Sequence, residues 1–178
     1  MKKLYYLIIP VAMGMAFASC KTDTKGTAAK TDSVPPIYKA TYSSSFAISD
    51  SAKYEASVLQ SYKDWEDNKL TNAPAYFADT VALDFPNGKK MKMKRDSMVK
   101  FFQKYRDSLN SSKIDMVSII NLHSTDKNED WVTVWYKQTD TYKTGKVDSA
   151  FYNDVNHIKK GKIDYVTSFM QKALPAKK

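Results

Sequence analysis

The stretch from Asp130 to Gln171 decides the fold, because it holds three consecutive segments with the composition of β-strands. Its first segment, Trp131-Val132-Thr133-Val134-Trp135-Tyr136, is β-branched and aromatic throughout, which suits a pleated sheet. The stretches Lys143-Thr144-Gly145-Lys146 and Lys159-Lys160-Gly161-Lys162 each supply a glycine where a hairpin turn needs positive φ. We therefore predict three antiparallel strands joined by two tight turns.

Two-residue turns at Thr144-Gly145 and Lys160-Gly161 would place Trp135 opposite Asp154 and would decide which side chains share a face. In that register, one face carries Trp131, Thr133, Trp135, Tyr152, Asp154, Asn156, Ile158, Ile163, Tyr165, Thr167 and Phe169. The other carries Val132, Val134, Tyr136, Phe151, Asn153, Val155, His157, Asp164, Val166, Ser168 and Met170. Both faces are too apolar for water, and a slip of one residue at either turn would exchange them.

The length and composition of the whole chain limit the class of protein. A chain of 178 residues is long enough for one domain with a substantial core, and too short for two. The net charge of +9 is spread among acids without an arginine-rich stripe, so we expect no nucleic-acid partner. Two histidines and one cysteine offer no metal-binding spacing, and the chain has no phosphate loop or dinucleotide fingerprint. We expect neither a metal nor a cofactor.

The N-terminus has the parts of a bacterial export signal. A basic Met1-Lys2-Lys3 is followed by the apolar residues 4–18, a run shorter than the roughly 20 residues that a membrane span needs. Small residues then precede Cys20, which resembles a lipobox, although Phe17 stands where leucine is usual. We predict a lipoprotein signal peptide over residues 1–19, lipidation at Cys20, and a location in the cell envelope at the outer membrane. The alternative is an ordinary cleaved signal with an incidental cysteine.

Residues 20–36 contain almost nothing to bury and are predicted to form a flexible tether. Lys21 and Asp23 resemble the export tag of surface lipoproteins in Bacteroidetes-type bacteria. Residues 37–178 are predicted to form a single domain.

Helical periodicity dominates the first half of that domain. Tyr54, Val58, Tyr62 and Trp65 recur at spacings of four, four and three, which predicts a first helix from Ala52. The other predicted elements are a short helix from Thr71, strands over Thr80–Phe85 and Ile114–Leu122, and a third helix over Ser97–Leu109. Helices followed by antiparallel strands indicate an α+β fold, with the helices on one face of a curved sheet.

The long first helix resembles the opening of the nuclear transport factor 2-like superfamily, which includes SnoaL-like polyketide cyclases and ketosteroid isomerases, and two motifs resemble that superfamily as well. They are Asp79-Thr80-Val81-Ala82-Leu83-Asp84-Phe85-Pro86-Asn87-Gly88 and the closing hairpin His157-Ile158-Lys159-Lys160-Gly161-Lys162-Ile163-Asp164. The resemblance covers residues 50–172. It implies a cone-shaped roll of three N-terminal helices on a strongly bent, mostly antiparallel sheet, a pocket between them, and dimerisation through the outer sheet face.

Enzymes of that superfamily use an aspartate general base in the cone, so Asp84 and Asp154 are the catalytic candidates here. Asp84 has a simpler interpretation as a strand-end residue beside a turn. SnoaL-type cyclases carry Trp-Asp at the end of the last strand, whereas this chain reads Ser168-Phe169-Met170-Gln171. We therefore expect a protein without catalytic residues, with an isomerase or cyclase as the alternative.

A few polar groups among aromatic side chains is the composition of a small-molecule pocket. The predicted pocket residues are Tyr62, Trp65, Phe102, Trp131, Trp135, Tyr152, Asp154, Asn156, Tyr165 and Phe169. The alternative is a polar network that satisfies itself in the core. His157 opposite Asp164 is interpreted as an exposed cross-strand pair or as an oriented base, while His123 has no second ligand nearby.

These patterns together predict a lipid-anchored envelope protein whose domain binds a small apolar or aromatic ligand, or a protein partner. A purely structural dimeric module is a further alternative. We also expect a homodimer, because one sheet face would otherwise expose a large apolar patch. The residues of that predicted interface are Val132, Val134, Tyr136, Val155 and Val166.

Overall fold

The computed structural model describes residues 37–50 and 52–173. Contacts divide the chain after Lys39, and of the first unit only residues 37–39 are described, all of them exposed. The predicted signal peptide, Cys20 and the predicted tether therefore lie outside the described residues. Among the described residues, no helix combines the length and apolar character that crossing a membrane requires.

The described part of the second unit contains seven strands, two α-helices and one 3-10 helix. The elements are β1 (Phe46–Ile48), α1 (Ala52–Glu66), the 3-10 helix (Leu70–Ala75), β2 (Phe77–Asp84), β3 (Lys90–Lys94), α2 (Arg95–Arg106), β4 (Leu109–Ser124), β5 (Glu129–Tyr142), β6 (Val147–Lys159) and β7 (Lys162–Lys172). They form one sheet in the order β1-β4-β5-β6-β7-β2-β3. Every neighbouring pair is antiparallel except β2 and β7, which run parallel. The predicted α+β architecture with three helices is confirmed.

The core lies between the helices and one face of this sheet, which we call the inner face. Val58 of α1 is fully buried against Val132 and Val134 of β5 and Ile163 of β7. A second cluster lies beneath α2, where Met98 packs on Val81 and Leu83 of β2. The apolar stripe of α1 thus packs on the sheet as its spacing predicted.

The turn between β5 and β6 differs from the predicted two-residue loop. Tyr142 N–H donates to the Lys146 oxygen, and Gly145, at a φ of +84°, donates to the Tyr142 oxygen. This is a three-residue loop with glycine in the left-handed region, which matches the strand twist equally well. The register therefore moves by one residue, and Asp154 pairs with Val134 instead of Trp135.

The turn between β6 and β7 is the predicted two-residue loop, with Lys160 and Gly161 both at positive φ. A bulge follows immediately, because Ile158 pairs with Ile163 while His157 pairs with Tyr165. One extra residue on β7 reverses every later side chain of that strand. The prediction that His157 and Asp164 are register partners is therefore wrong, although their side chains still share a hydrogen bond of 2.6 Å.

These two shifts change the composition of both sheet faces. The alternation along β6 was predicted correctly, while the faces of β5 and of β7 beyond the bulge are exchanged. Val132, Val134 and Tyr136 consequently lie in the core, where Val166 also packs. The predicted dimer face is therefore wrong for four of its five residues, and the outer face carries other apolar side chains. Exposed examples are Ile120, Trp135, Phe151 and Phe169.

Candidate functional site

A pocket of about 840 Å³ lies between the inner face of the sheet and the three helices. This volume falls within the range of about 300–1,000 Å³ that is usual for small-molecule sites. Its walls are mainly aromatic and aliphatic, with a few polar groups at the end near β6. The lining includes Tyr62, Trp65, Tyr76, Phe77, Leu83, Met98, Phe102, Tyr105, Ile114, Tyr136, Gln138, Tyr152, Asp154, Asn156, Val166, Ser168 and Met170.

Asp154 of β6 is the centre of the polar end. Its side chain is nearly buried, with 6% of the residue exposed. The Oδ2 atom accepts hydrogen bonds from the hydroxyls of Tyr62 and Tyr136, each at 2.8 Å. The Oδ1 atom is enclosed and has no partner with hydrogen-bond geometry among the described residues. One carboxylate thus joins helix α1 to strand β5, and half of its acceptor capacity is unused.

Register and ring packing place these groups. Tyr136 pairs with Tyr152 across β5 and β6, and their rings stack at 5.2 Å between centroids. The Tyr62 ring of α1 packs on the Tyr136 ring, with 5.0 Å between the ring centroids. Next to them, Asn156 Nδ2 donates to the Val132 oxygen at 3.1 Å. Offset and tilted aromatic pairs of this kind hold the rings in defined positions beyond simple area burial.

Burial dominates the protonation behaviour of this cluster. Removal from water raises the pKa of Asp154, while Ser168 and the two tyrosine hydroxyls oppose that rise. Burial also raises the pKa of Tyr62 well above its usual value, and the negative charge of Asp154 raises it further, while Asn156 opposes both. Burial and, after it, the negative charge of Asp154 also raise the pKa of Tyr136 well above its usual value. Both phenols therefore stay protonated and keep donating to the carboxylate.

Aromatic rings form the other end of the pocket, and a second aspartate, which is not part of the lining, holds them in place. The Trp65 ring stacks on Tyr105 at 5.9 Å and meets Phe102 edge-on at 6.3 Å. Trp65 Nε1 donates to Ser112 Oγ, which donates in turn to Asp140 at 2.6 Å. Asp140 also accepts from Tyr105 and from Gln138. Both carboxylate oxygens of Asp140 are satisfied, so this network fixes the walls and offers little to a ligand.

Buried Arg106 fixes the end of α1 from which Trp65 enters the pocket. Its Nε donates to the Trp65 oxygen at 2.9 Å, and a terminal guanidinium nitrogen donates to the Glu66 oxygen at 2.8 Å. Carbonyls at a helix C-terminus lack partners within the helix, and a cationic donor also favours that end of the dipole. The position of Trp65 therefore depends on α2 as well as on α1.

Six of the ten predicted pocket residues line this pocket: Tyr62, Trp65, Phe102, Tyr152, Asp154 and Asn156. The other four do not, because the shifted register places Trp131, Trp135, Tyr165 and Phe169 on the outer face. Their places are taken by neighbours of opposite parity, namely Tyr136, Val166, Ser168 and Met170. Sequence reasoning missed these residues because no composition signal marks the third loop residue before β6, which moves Tyr136, or the bulge beside His157, which moves the other three.

The weaker candidates have ordinary structural roles. Asp84 lies at the rim, where its Oδ2 accepts from Lys90 at 2.8 Å and from Tyr165 at 3.0 Å. The Lys90 hydrogen bond lowers the pKa of Asp84, which makes it a poor proton acceptor. His157 and His123 bond to Asp164 and Asp130 through Nδ1. Within residues 37–50 and 52–173, no three His, Cys, Asp or Glu side chains are grouped as metal ligands.

Comparison with known proteins identifies the fold. No family model matches the sequence, and no curated protein matches it significantly. A candidate polyketide cyclase from Xanthomonas campestris pv. campestris is similar with a TM-score of 0.54 and 19% identity, over 68% of this chain and 92% of that one. A nuclear transport factor 2-like protein of unknown function from Burkholderia pseudomallei has a TM-score of 0.55 and 14% identity, over 67% and 91%. An LEH-like epoxide hydrolase from M. tuberculosis has a TM-score of 0.57 and 7% identity, over 67% and 84%.

At these identities the likeness shows the fold alone. The chain has the nuclear transport factor 2-like fold, as its two motifs predicted. Structures of this fold include candidate cyclases, a hydrolase and a protein of unknown function, so the function has to be argued from the pocket itself.

Proposed function

We propose that this domain binds a small, mainly apolar molecule in the pocket between helices and sheet, without converting it. The observation that carries this proposal is the combination of an 840 Å³ volume, largely aromatic walls and a single buried carboxylate that is only half satisfied. A core that only had to be filled would favour aliphatic side chains without polar atoms. An open volume that is lined by aromatic rings and contains one polar group to orient a molecule is characteristic of a ligand site.

The surroundings of Asp154 favour binding over catalysis. A general base must approach the proton that it removes within hydrogen-bonding distance. Here both tyrosine donors occupy Oδ2, and the protein encloses Oδ1. A bound molecule can lie beside this carboxylate and feel its charge over a few ångströms, but proton transfer to either oxygen would require the pocket wall to move first.

The three tryptophans of the chain provide a direct test of the site. A neutral fluorescent probe, N-phenyl-1-naphthylamine, is expected to quench tryptophan emission on binding, because Trp65 lines the pocket. Trp65→Phe should abolish most of that quenching. Trp135→Phe is the matched control, since Trp135 lies on the outer face with 37% exposure, and it should leave the quenching intact. Equal quenching in both variants, or no binding of the probe, would contradict the proposed site.

A second candidate function is proton transfer by Asp154, in an enzyme of the isomerase or cyclase type. One observation favours it: burial raises the pKa of Asp154 toward the range in which a carboxylate accepts protons effectively. If this candidate is right, Asp154→Asn should still bind a compound that the parent converts, while turnover is lost. If the binding function is right, neither protein converts the compound.

We also propose that the protein is a bacterial lipoprotein of the cell envelope, held at the outer membrane through Cys20. The basic start, the apolar run and the position of the single cysteine support this proposal. Cys20→Ser, expressed in a bacterial host, should move the protein from the detergent phase to the aqueous phase in a detergent-partition assay. Ser19→Ala is the control, because it keeps a small residue before the cysteine. Unchanged partitioning of Cys20→Ser would refute lipidation at that site.

A second copy of the chain is proposed as the occupant of the outer sheet face. Trp135 and Phe169 both pair with Asn153 across three adjacent strands, and Phe169 is 60% exposed. Neighbouring exposed aromatic side chains of this kind usually mark an interface. Residues 37–178 should sediment as a dimer at micromolar concentration, and Phe169→Asp should sediment as a monomer. Lys172→Asp on the same strand is the control for the added charge.

A further inference from the structure

Most hydrogen-bond donors at the polar end of the pocket are already engaged by the protein. Tyr62 and Tyr136 donate to Asp154, and Asn156 donates to the Val132 oxygen. Gln138 donates to Asp140 farther along the wall. A phenol that donates its one proton can only accept thereafter. Apart from the hydroxyls of Tyr152 and Ser168, this end of the pocket therefore presents mainly acceptors to a ligand.

The buried carboxylate also has no cation to balance it. Among the described residues, no lysine, arginine or histidine forms an ion pair with Asp154. No cationic side chain contributes to the pKa of Asp154 either, which only burial and hydroxyl groups shift. A buried charge is normally paired, because its removal from water is costly.

The rings around Asp154 suit a positive charge as well. The Tyr136 ring packs between two others, with its centroid 5.0 Å from that of Tyr62 and 5.2 Å from that of Tyr152. The face of an aromatic ring carries partial negative charge and attracts ammonium groups, more strongly where water is excluded.

We infer that the pocket takes an organic cation, a molecule with an apolar or aromatic body and a protonated amine that lies beside Asp154 and its two tyrosines. This inference rests on the proposed binding function and specifies its ligand class. A neutral alcohol would satisfy an acceptor but leave the charge unbalanced, and an anion would be repelled. Salt screens the chain's net charge of +9 beyond about 10 Å. Among the described residues of the lining, Lys104 of α2 is the one cationic side chain, and it forms no ion pair with Asp154.

Three compounds with the same indole body test the inference on the unmodified protein. Tryptamine carries an ammonium group, tryptophol a hydroxyl and indole-3-acetate a carboxylate. By calorimetry near neutral pH, we expect tryptamine to bind at least about tenfold more tightly than tryptophol, because only its ammonium group is attracted by the buried carboxylate. Indole-3-acetate should bind most weakly. Equal affinities for tryptamine and tryptophol, or a preference for the anion, would overturn the inference.

Two isosteric variants then test whether Asp154 causes the preference for the ammonium compound. Asp154→Asn should reduce the ratio of tryptamine to tryptophol affinity to about one, because it removes the charge but keeps an acceptor for the tyrosines. Asp115→Asn removes the same charge at an exposed position outside the pocket, and should keep the ratio. A ratio that survives in Asp154→Asn would overturn the inference. If compounds bind without regard to charge, the pocket proposal stands and only the ligand class fails; if none of the three binds, both proposals fail.

Discussion

Replacing Arg106 with methionine is expected to lower the free energy of unfolding by about 3 kcal/mol. Arg106 is 5% exposed and donates to the oxygens of Trp65 and Glu66 at the end of α1. Each hydrogen bond from a charged donor contributes about 1.5–3 kcal/mol, and its loss here leaves a buried carbonyl unpaired. Methionine has a similar length, so the cavity it leaves is small and the change reports mainly the lost donors.

Urea denaturation monitored by circular dichroism measures this change. Lys100→Met is the matched control, because it removes a positive charge from an exposed position on the same helix. It should alter stability by less than about 0.5 kcal/mol. The loss of stability in Arg106→Lys should lie between those of the other two variants, since an ammonium cannot present two donors in the geometry of a guanidinium. A loss for Arg106→Met no larger than the control would show that water satisfies the end of α1.

Asp154→Ala is expected to lower the free energy of unfolding by about 2–4 kcal/mol, which is the second large effect. The substitution removes the common acceptor of Tyr62 and Tyr136, and each stranded hydroxyl costs about 1–3 kcal/mol where it is buried. Water entering the pocket reduces the cost at Tyr62, which is less enclosed than Tyr136. Asp148→Ala on the same strand lies in solvent and should change stability little.

The pH dependence of Asp154→Asn separates the charge of Asp154 from its hydrogen bonds. The folded protein raises the pKa of this carboxyl above its ordinary value of 3.8, so the folded state holds the proton more tightly than the unfolded state. The stability that Asp154 contributes is then complete below that ordinary value and is lost as the pH rises through the folded pKa. Asparagine does not titrate there. Relative to the parent, Asp154→Asn should therefore become more stable as the pH rises. A difference in unfolding free energy that does not change with pH would contradict the raised pKa.

The polar pair at the base of the pocket was accessible to sequence reasoning, and most of its surroundings were not. Asp154 and Asn156 stood out as polar residues in an apolar strand, and the alternation along β6 placed them correctly beside Tyr152. Tyr62 and Trp65 followed from the helical stripe of α1. The two-residue loop that Gly145 predicts puts Tyr136 on the outer face, whereas the chain uses three residues there and turns Tyr136 inward. Either loop places a glycine at positive φ, so the glycine cannot distinguish them.

Local sequence by itself determined the elements of this protein: an aromatic stripe at helical spacing, β-branched strands, and glycines where the chain turns. These signals act over a few residues, and they suffice for an α+β class and a nuclear transport factor 2-like order of elements. Only the tertiary structure decided which side chains face the pocket. The loop at Gly145 and the bulge beside His157 each change the register by one residue, and a change of one residue reverses a strand's faces. The bond from Tyr62 to Asp154 joins residues 92 positions apart, and it forms only because α1 packs on a sheet whose register is already set.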